Sequence, residues 1–214
     1  MRCLVLTLLF TAGAVLAGEG LRAQGNGPAR ADEQVRAFLD RHRGTWRDLN
    51  VPESDGRLLH DLVVKHRFQR ALEIGTSTGH SGVWIAWAMS KTGGTLVTLE
   101  IDPRRHREAV ENLEEAGLSS YVDARLGDAH QIVTTLQGPF DFVFSDADKE
   151  WYTNYFVALW PKIAPGGCFT AHNVASTRQR GIREFLAHLK TVRDGTTTID
   201  RSSSAGVSIT CKRQ

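Results

Sequence analysis

The chain has 214 residues, of which 41% are hydrophobic and 23% are charged, a composition typical of a globular protein. Its formal net charge is only +2 and its basic residues are interleaved with acids, so no nucleic-acid-binding stripe is indicated. Three cysteines are too few for a disulfide scaffold. The sequence therefore favours a single globular unit and disfavours a nucleic-acid-binding protein.

The first 23 residues predict an export signal. Arg2 precedes an apolar run that ends in small residues, with cleavage after either Ala17 or Ala23. The run is short for a bilayer span, so a retained membrane anchor is the lesser alternative. Residues 24–30 predict a polar linker, and residues 31–214 predict a single domain. We expect a periplasmic or secreted protein that meets a membrane only if this segment is retained.

Two helices are predicted ahead of the first strand. Val35 and Phe38 share one face of the first helix, with Asp32 as its cap, and an apolar stripe that includes Leu59 and Val63 marks the second. A later helix is predicted to begin at Pro103. From residue 70 onward, apolar runs that predict strands alternate with helical segments, and the strands cover 70–75, 94–102, 122–126, 140–146, 166–172, 196–200 and 206–212.

This order of elements predicts the fold class. Strands that alternate with helices and end in an antiparallel hairpin indicate a doubly wound α/β sheet of seven strands, mixed in direction at one edge. Ligands of such sheets bind beyond the carboxyl ends of the strands. We therefore expect the functional residues directly after each strand.

The loop after the first strand indicates which class of ligand the protein binds. Its glycines lie at 75, 79 and 82, which is not the spacing of the dinucleotide fingerprint, so a nicotinamide-dependent dehydrogenase is disfavoured. A nucleoside without a pyrophosphate suits this looser loop better. Glu100 ends the second strand, where a carboxylate can accept both ribose hydroxyls.

Five segments resemble one known family, and they occur in this order: ALEIGTSTGHSG, TLEIDP, FDFVFSDADKEWYTNYF, GGCFTAHNV and GVSITC. They look like the small S-adenosylmethionine-dependent O-methyltransferases of the caffeoyl-CoA and catechol type, which have a Rossmann-like fold. The resemblance implies S-adenosylmethionine as cofactor and a catechol-like or hydroxycinnamoyl-like hydroxyl acceptor. It leaves a homodimer open. The positions it implies for the cofactor are Asn50, Val51, Glu73, Gly75, Ser81, Glu100, Asp128, Ala129 and Asp146.

The resemblance also implies catalytic positions. Asp146 occupies the place of a divalent-metal ligand, and Lys149 that of the proposed general base. The family's Asp-Asn pair at the end of the fifth strand is His172–Asn173 in this chain. Imidazole suits softer metals than carboxylate does. Three alternatives stay open: a softer metal on Asp146, His172 and Asn173, weak Mg²⁺ binding there, or no metal and His172 as a catalytic base.

Aromatic side chains and two cysteines leave further alternatives. Trp46, Trp151 and Tyr152 could hold a flat acceptor or pack against the sheet. Cys168 and Cys211 lie on strands that are neighbours in the resembled fold, so a disulfide depends on their register. The main functional alternative is an exported protein that binds the cofactor with little or no turnover.

Overall fold

A computed structural model describes residues 28–214, so the predicted signal segment lies outside the described residues. The helices of this part are α1 (Pro28–Arg41), α2 (Glu53–His66), α3 (His80–Thr92), α4 (Pro103–Glu115), α5 (Ala129–Thr135), α6 (Tyr152–Leu159) and α7 (Arg180–Leu189). The strands are β1 (Arg70–Ile74), β2 (Thr95–Glu100), β3 (Val122–Leu126), β4 (Phe140–Ser145), β5 (Ile163–His172), β6 (Gly195–Asp200) and β7 (Val207–Lys212).

The seven strands form one sheet in the order β3-β2-β1-β4-β5-β7-β6. Strands β1 to β5 are parallel, whereas β7 pairs antiparallel with both β5 and β6. The predicted mixed, doubly wound sheet with its terminal hairpin is therefore confirmed. Strand order reverses between β1 and β4, and the loops after these two strands leave the same edge of the sheet. That edge is the expected ligand site.

Two apolar cores cover the two faces of the sheet. Residues of α1, α2, α3 and α4 pack on one face against Ala71, Phe142 and Phe144. Residues of α5, α6 and α7 pack on the other face against Leu72 and Val143. Neighbouring strand residues point to opposite faces, so the continuous apolar runs of β1 and β4 serve both cores. In residues 28–214, no helix is long and apolar enough to cross a membrane.

Helix starts show where local sequence signals succeed and fail. Asp102 caps α4 by accepting from the amides of Arg104 and Arg105, as the Asp-Pro pair predicts. Helix α1 begins at Pro28, within the segment predicted as a linker. Asp32 lies inside α1 and is not its cap. Its carboxylate instead binds α3, accepting from Trp87 Nε1 at 2.7 Å and Lys91 Nζ at 2.5 Å.

A disulfide links β5 to β7. Cys168 and Cys211 face each other in the antiparallel register and are bonded. The sequence left this pairing open because register could not be read from it. The bond joins the parallel part of the sheet to the terminal hairpin.

Candidate active site

A cavity of about 670 Å³ opens at the carboxyl ends of β1, β2 and β4, and we term it the sheet cavity. The predicted site residues that line it are Asn50, Gly75, Glu100, Asp128, Ala129, Asp146, Lys149, His172 and Asn173. Three predicted cofactor positions, Val51, Glu73 and Ser81, lie outside its lining. Val51 lines a second cavity, described below.

Gly75 brings the first loop close to the loop after β4. It has a φ of +94°, and a Cβ at this position would lie 3.0 Å from the backbone of Asp146 and Ala147. Only glycine tolerates both the conformation and the contact. The absence of a side chain therefore lets the two loops lie in direct contact at the wall of the cavity.

Glu100 is a preorganised acceptor at the end of β2. Its Oε2 accepts from the amide of Ser77 at 2.7 Å, and its Oε1 accepts from the amides of Ile101 and Asp102 at 3.0 and 2.9 Å. These amides fix the carboxylate at the cavity wall. The Ser77 hydroxyl is buried and has no partner in the described part of the chain, so a polar ligand group could satisfy it.

Glu73 and Ser81 lie beneath the loop. Glu73 is fully buried, and Thr98 Oγ1 donates to its Oε2 at 2.5 Å. Burial raises the pKa of Glu73 to about 7, although hydrogen bonds from Ser81 and Thr98 oppose that rise. Glu73 and Ser81 therefore support the loop from below and do not line the sheet cavity.

The segment between α1 and α2 closes one side of the sheet cavity. Asn50 donates to Thr78 Oγ1 at 2.7 Å and accepts from the His80 amide at 3.3 Å. Asp48 pairs with Arg105 through two oxygens and with Arg104 through one. The hydrogen bonds from Arg105 and Arg104 lower the pKa of Asp48 to about 2. The segment is thus fastened to both α3 and α4.

His172 ends β5 between two carboxylates. Its Nδ1 lies 3.1 Å from Asp146 Oδ2, and its Nε2 lies 2.7 Å from Asp55 Oδ2. Asp55 belongs to α2 and also accepts from Ser203 Oγ at 2.7 Å. Burial alone would lower the pKa of His172, but the hydrogen bonds to Asp146 and Asp55 outweigh it and raise the pKa to about 9.

Lys149 lies beside this histidine cluster. Its Nζ donates to Asp146 Oδ1 at 2.7 Å, to the Ala147 carbonyl at 3.0 Å and to the Asp146 carbonyl at 3.2 Å. Asp146 therefore binds a different cation through each of its oxygens. Lys149 also lines the sheet cavity, where a ligand oxygen can compete for one of its N–H groups.

The residues predicted as metal ligands do not fit a metal site in this arrangement. Both ring nitrogens of His172 are hydrogen-bonded to carboxylates, so neither presents a free lone pair. Asp146 is engaged by His172 and Lys149. Across residues 28–214, no group of three or more His, Cys, Asp or Glu residues is arranged to hold a metal ion. The same geometry argues against His172 as a base, because its nitrogens already donate.

A second cavity, of about 1000 Å³, lies among α1, α2, α3 and the segment joining α1 to α2, and we term it the helical cavity. Trp46 stacks on His80 in its wall, with ring centroids 4.4 Å apart. Asn50, His172 and Asn173 line both cavities, so the two meet at the end of β5.

The other aromatic candidates have packing roles. Trp151 stacks on His130 at 3.8 Å and lies outside both cavity linings. Tyr152 is fully buried, and its hydroxyl donates to the His172 carbonyl at 3.1 Å. Of the three aromatic residues predicted near the cleft, only Trp46 lines a cavity.

Sequence reasoning missed Asp48, Asp55 and Ser203. Asp55 lies in the first turn of α2, where an acid is typical of helix starts, so nothing in the local pattern distinguishes it. Ser203 lies in a short polar connection between two strands. Asp55 contacts His172, 117 positions away in the chain, and Ser203 contacts Asp55, 148 positions away. No local sequence signal indicates contacts over such separations.

The fold and the cavity define a Rossmann-like α/β protein with a candidate ligand site at the switch point of its sheet. A family profile described as "Methyltransferase domain" matches residues 72–174. The chain is 30% identical to the O-methyltransferase TomG from Streptomyces achromogenes, whose structure was solved with SAM. That match covers 86% of this chain and 91% of TomG, with a TM-score of 0.74.

Further relatives agree with this match. An O-methyltransferase from Bacillus cereus, solved with SAH, is 27% identical, with a TM-score of 0.74 over 85% of this chain and 91% of that chain. A catechol O-methyltransferase of Niastella koreensis is 39% identical over 130 residues, 59% of this chain and 58% of that protein. The chain thus spans little more than half the length of such curated relatives. The chain belongs to the O-methyltransferase family.

Proposed function

We propose that the protein transfers a methyl group from S-adenosylmethionine to a hydroxyl of a small aromatic acceptor. One observation carries the proposal: the sheet cavity, which Glu100 and Lys149 both line, meets an aromatic-walled cavity at His172 and Asn173. A donor in the first cavity and an acceptor at the junction would then lie within reach of each other, as direct transfer requires.

The sheet cavity suits the cofactor in its chemistry. The Glu100 carboxylate is fixed by backbone amides and retains lone pairs for the two ribose hydroxyls. The buried Ser77 hydroxyl, which has no partner in the described part of the chain, offers a polar contact for the rest of the molecule. When bound, S-adenosylmethionine supplies a methyl group that is already activated by its sulfonium.

The protein's own contribution concerns the acceptor oxygen. A phenol has a pKa near 10, so its anion is scarce at neutral pH unless a cation lies beside it. Lys149 can turn one N–H from a backbone carbonyl to that oxygen while keeping Asp146 as its anchor. We assign to Lys149 the stabilisation of the acceptor as an anion.

The helical cavity favours a flat acceptor. Trp46, Trp84 and His80 contribute rings to its wall, and stacking on such rings selects aromatic ligands. The catechol-like and hydroxycinnamoyl-like classes both combine a flat ring with a hydroxyl.

We further propose that the enzyme is exported. The Cys168–Cys211 disulfide suits an oxidising compartment, and the composition of residues 1–23 predicts a signal. An exported enzyme would need a supply of its cofactor from the cytosol. Homodimer formation and attachment through an uncleaved signal segment stay predictions, to be measured by light scattering and by membrane fractionation.

Calorimetry and label transfer test the methyltransferase proposal. We expect S-adenosylmethionine to bind and NAD to leave no heat signal. Labelled methyl from the cofactor should then appear on catechol or on a hydroxycinnamoyl compound. Cofactor binding without transfer to any member of either class would favour the alternative of an exported binding protein, and no cofactor binding would contradict both.

A further inference from the structure

The ring of His172 is held in a form that carries a positive charge. Each ring nitrogen lies within hydrogen-bond distance of a carboxylate oxygen, from Asp146 on one side and Asp55 on the other. Ionised carboxylates only accept hydrogen bonds, so both nitrogens must donate, and a ring that donates twice is an imidazolium. The side chains are almost fully removed from solvent, and a charge in such a place requires partners.

The charges of the cluster balance without any added ion. Asp55 and Asp146 contribute two negative charges, and His172 and Lys149 contribute two positive charges. A divalent cation brought between the same carboxylates would displace the ring and add charge to a balanced, buried group. The imidazolium therefore already occupies the position where a bound metal would act.

The ring also joins separate parts of the chain. Through Asp55 it binds α2, through Asp146 the loop after β4, and through the bond from Ser203 to Asp55 the connection between β6 and β7. A metal ion bound by several elements would cross-link them in the same way. Asp55 is thus a positioning residue that acts through His172.

We propose that this protein is a metal-independent member of its family, in which the imidazolium of His172, clamped between Asp55 and Asp146, replaces a divalent cation at the acceptor end of the site. The role of this ring in methyl transfer rests on the proposed function. The replacement of a metal ion by the ring concerns metal binding alone, so it can be tested without measuring methyl transfer.

Metal titration of the wild-type protein gives a first test. The purified full chain is treated with chelator, and Mn²⁺, Mg²⁺ and Zn²⁺ are then titrated separately by calorimetry, with the thermal midpoint measured in parallel. We expect no stoichiometric binding and no change in midpoint between chelator and metal. Uptake of one ion per chain with a rise in the midpoint would overturn the proposal.

A substitution gives the second test, with a gain of binding as its readout. His172→Asp places a carboxylate beside Asp55, Asp146 and Asn173, an oxygen-rich set that suits Mn²⁺. We expect this variant to bind Mn²⁺ at least about tenfold more tightly than the wild type. The matched control is His80→Asp, because His80 is equally buried but contacts no acid.

The outcomes separate this inference from the proposed function. A folded His172→Asp variant with no gain over the wild type and the His80→Asp control would overturn the replacement. If that variant does not fold, the metal titration of the wild type still tests whether the protein binds a metal ion. If methyl transfer is found, it should survive chelator unchanged, and loss of activity restored by metal would also overturn the proposal. If no transfer is found, the binding results stand by themselves.

Discussion

Lys149 and His172 have different hydrogen-bond partners at the edge of the sheet, and these partners suit them to different roles. Lys149 has one contact to a side chain and two to backbone carbonyls, so it can exchange a carbonyl for a ligand oxygen. His172 has a carboxylate on each nitrogen, so any exchange would leave a buried charge without its partner. The lysine is suited to act on a ligand, and the histidine is suited to hold the structure around it.

Replacement of Lys149 should therefore affect turnover more than cofactor binding. Lys149→Met keeps the length and apolar stem but removes the charge that favours the acceptor anion. We expect kcat to fall about a hundredfold while the affinity for S-adenosylmethionine changes little. Label-transfer kinetics and calorimetry measure the two quantities. Lys190→Met, at an exposed position, is the control, and an unchanged kcat in Lys149→Met would contradict the assigned role.

Among the secondary-structure elements, α2 is the one whose placement completes the site. It delivers Asp55 to His172, although α2 and β5 are far apart in sequence. Gly56 permits this, because a Cβ there would overlap the Trp84 ring of α3. A helix-interior glycine, unfavourable for helix formation, is in this case the condition for close helix packing.

Gly56→Ala should consequently destabilise the protein despite the better helix propensity of alanine. We expect the free energy of unfolding to fall by about 1 to 3 kcal/mol, since α2 must shift away from Trp84. Urea denaturation measures the change. Lys65→Ala, on the solvent side of the same helix, should be close to neutral. A variant at Gly56 as stable as the wild type would show that α2 is not packed as described.

At the scale of the whole molecule, one buried carboxyl makes stability depend on pH. Glu73 has an ordinary pKa of 4.5, which burial raises to about 7 in the folded protein. Between these values the unfolded chain loses a proton that the folded chain retains. The contribution of Glu73 to the free energy of unfolding therefore falls as pH rises through this window and levels off above it, by about 3 kcal/mol at most.

Glu73→Gln removes this dependence. We expect the variant to gain stability relative to the wild type as pH rises from about 4.5 to about 7, with no further gain at higher pH. Urea denaturation at a series of pH values gives the comparison. The control is Glu184→Gln, at an exposed position, whose free energy of unfolding should vary with pH in parallel with that of the wild type. If the free energy of unfolding of Glu73→Gln also varies in parallel with the wild type, the buried carboxyl does not retain its proton.

The disulfide contributes to the same global stability by joining residues 43 positions apart. Restricting the unfolded chain in this way is worth about 2 to 4 kcal/mol. We expect reductant to lower the unfolding free energy of the wild type by that amount and to leave Cys168→Ala/Cys211→Ala unaffected. Thiol titration of the denatured, signal-free protein should find no free thiol. Two free thiols, or a wild type insensitive to reductant, would contradict the bond.

The fold and half of the site followed from the sequence alone. Apolar runs, glycine stops and the Asp-Pro helix start are local signals, and they predicted the sheet, its hairpin and the position of Glu100 and Lys149 at strand ends. Strand order then brings those ends to one edge, because parallel strands share a direction. Local chemistry and a general rule of topology were sufficient for this part.

The tertiary structure decided what His172 does. The sequence left a softer metal, weakly bound Mg²⁺ and a catalytic base as alternatives, because the partners of an imidazole cannot be read from its neighbours in the chain. Asp55 comes from a helix 117 residues away, and only the packing of α2 against α3 brings it to the ring. Register likewise decided the cysteine pair, since one residue of slip between β5 and β7 would have turned the two side chains to opposite faces.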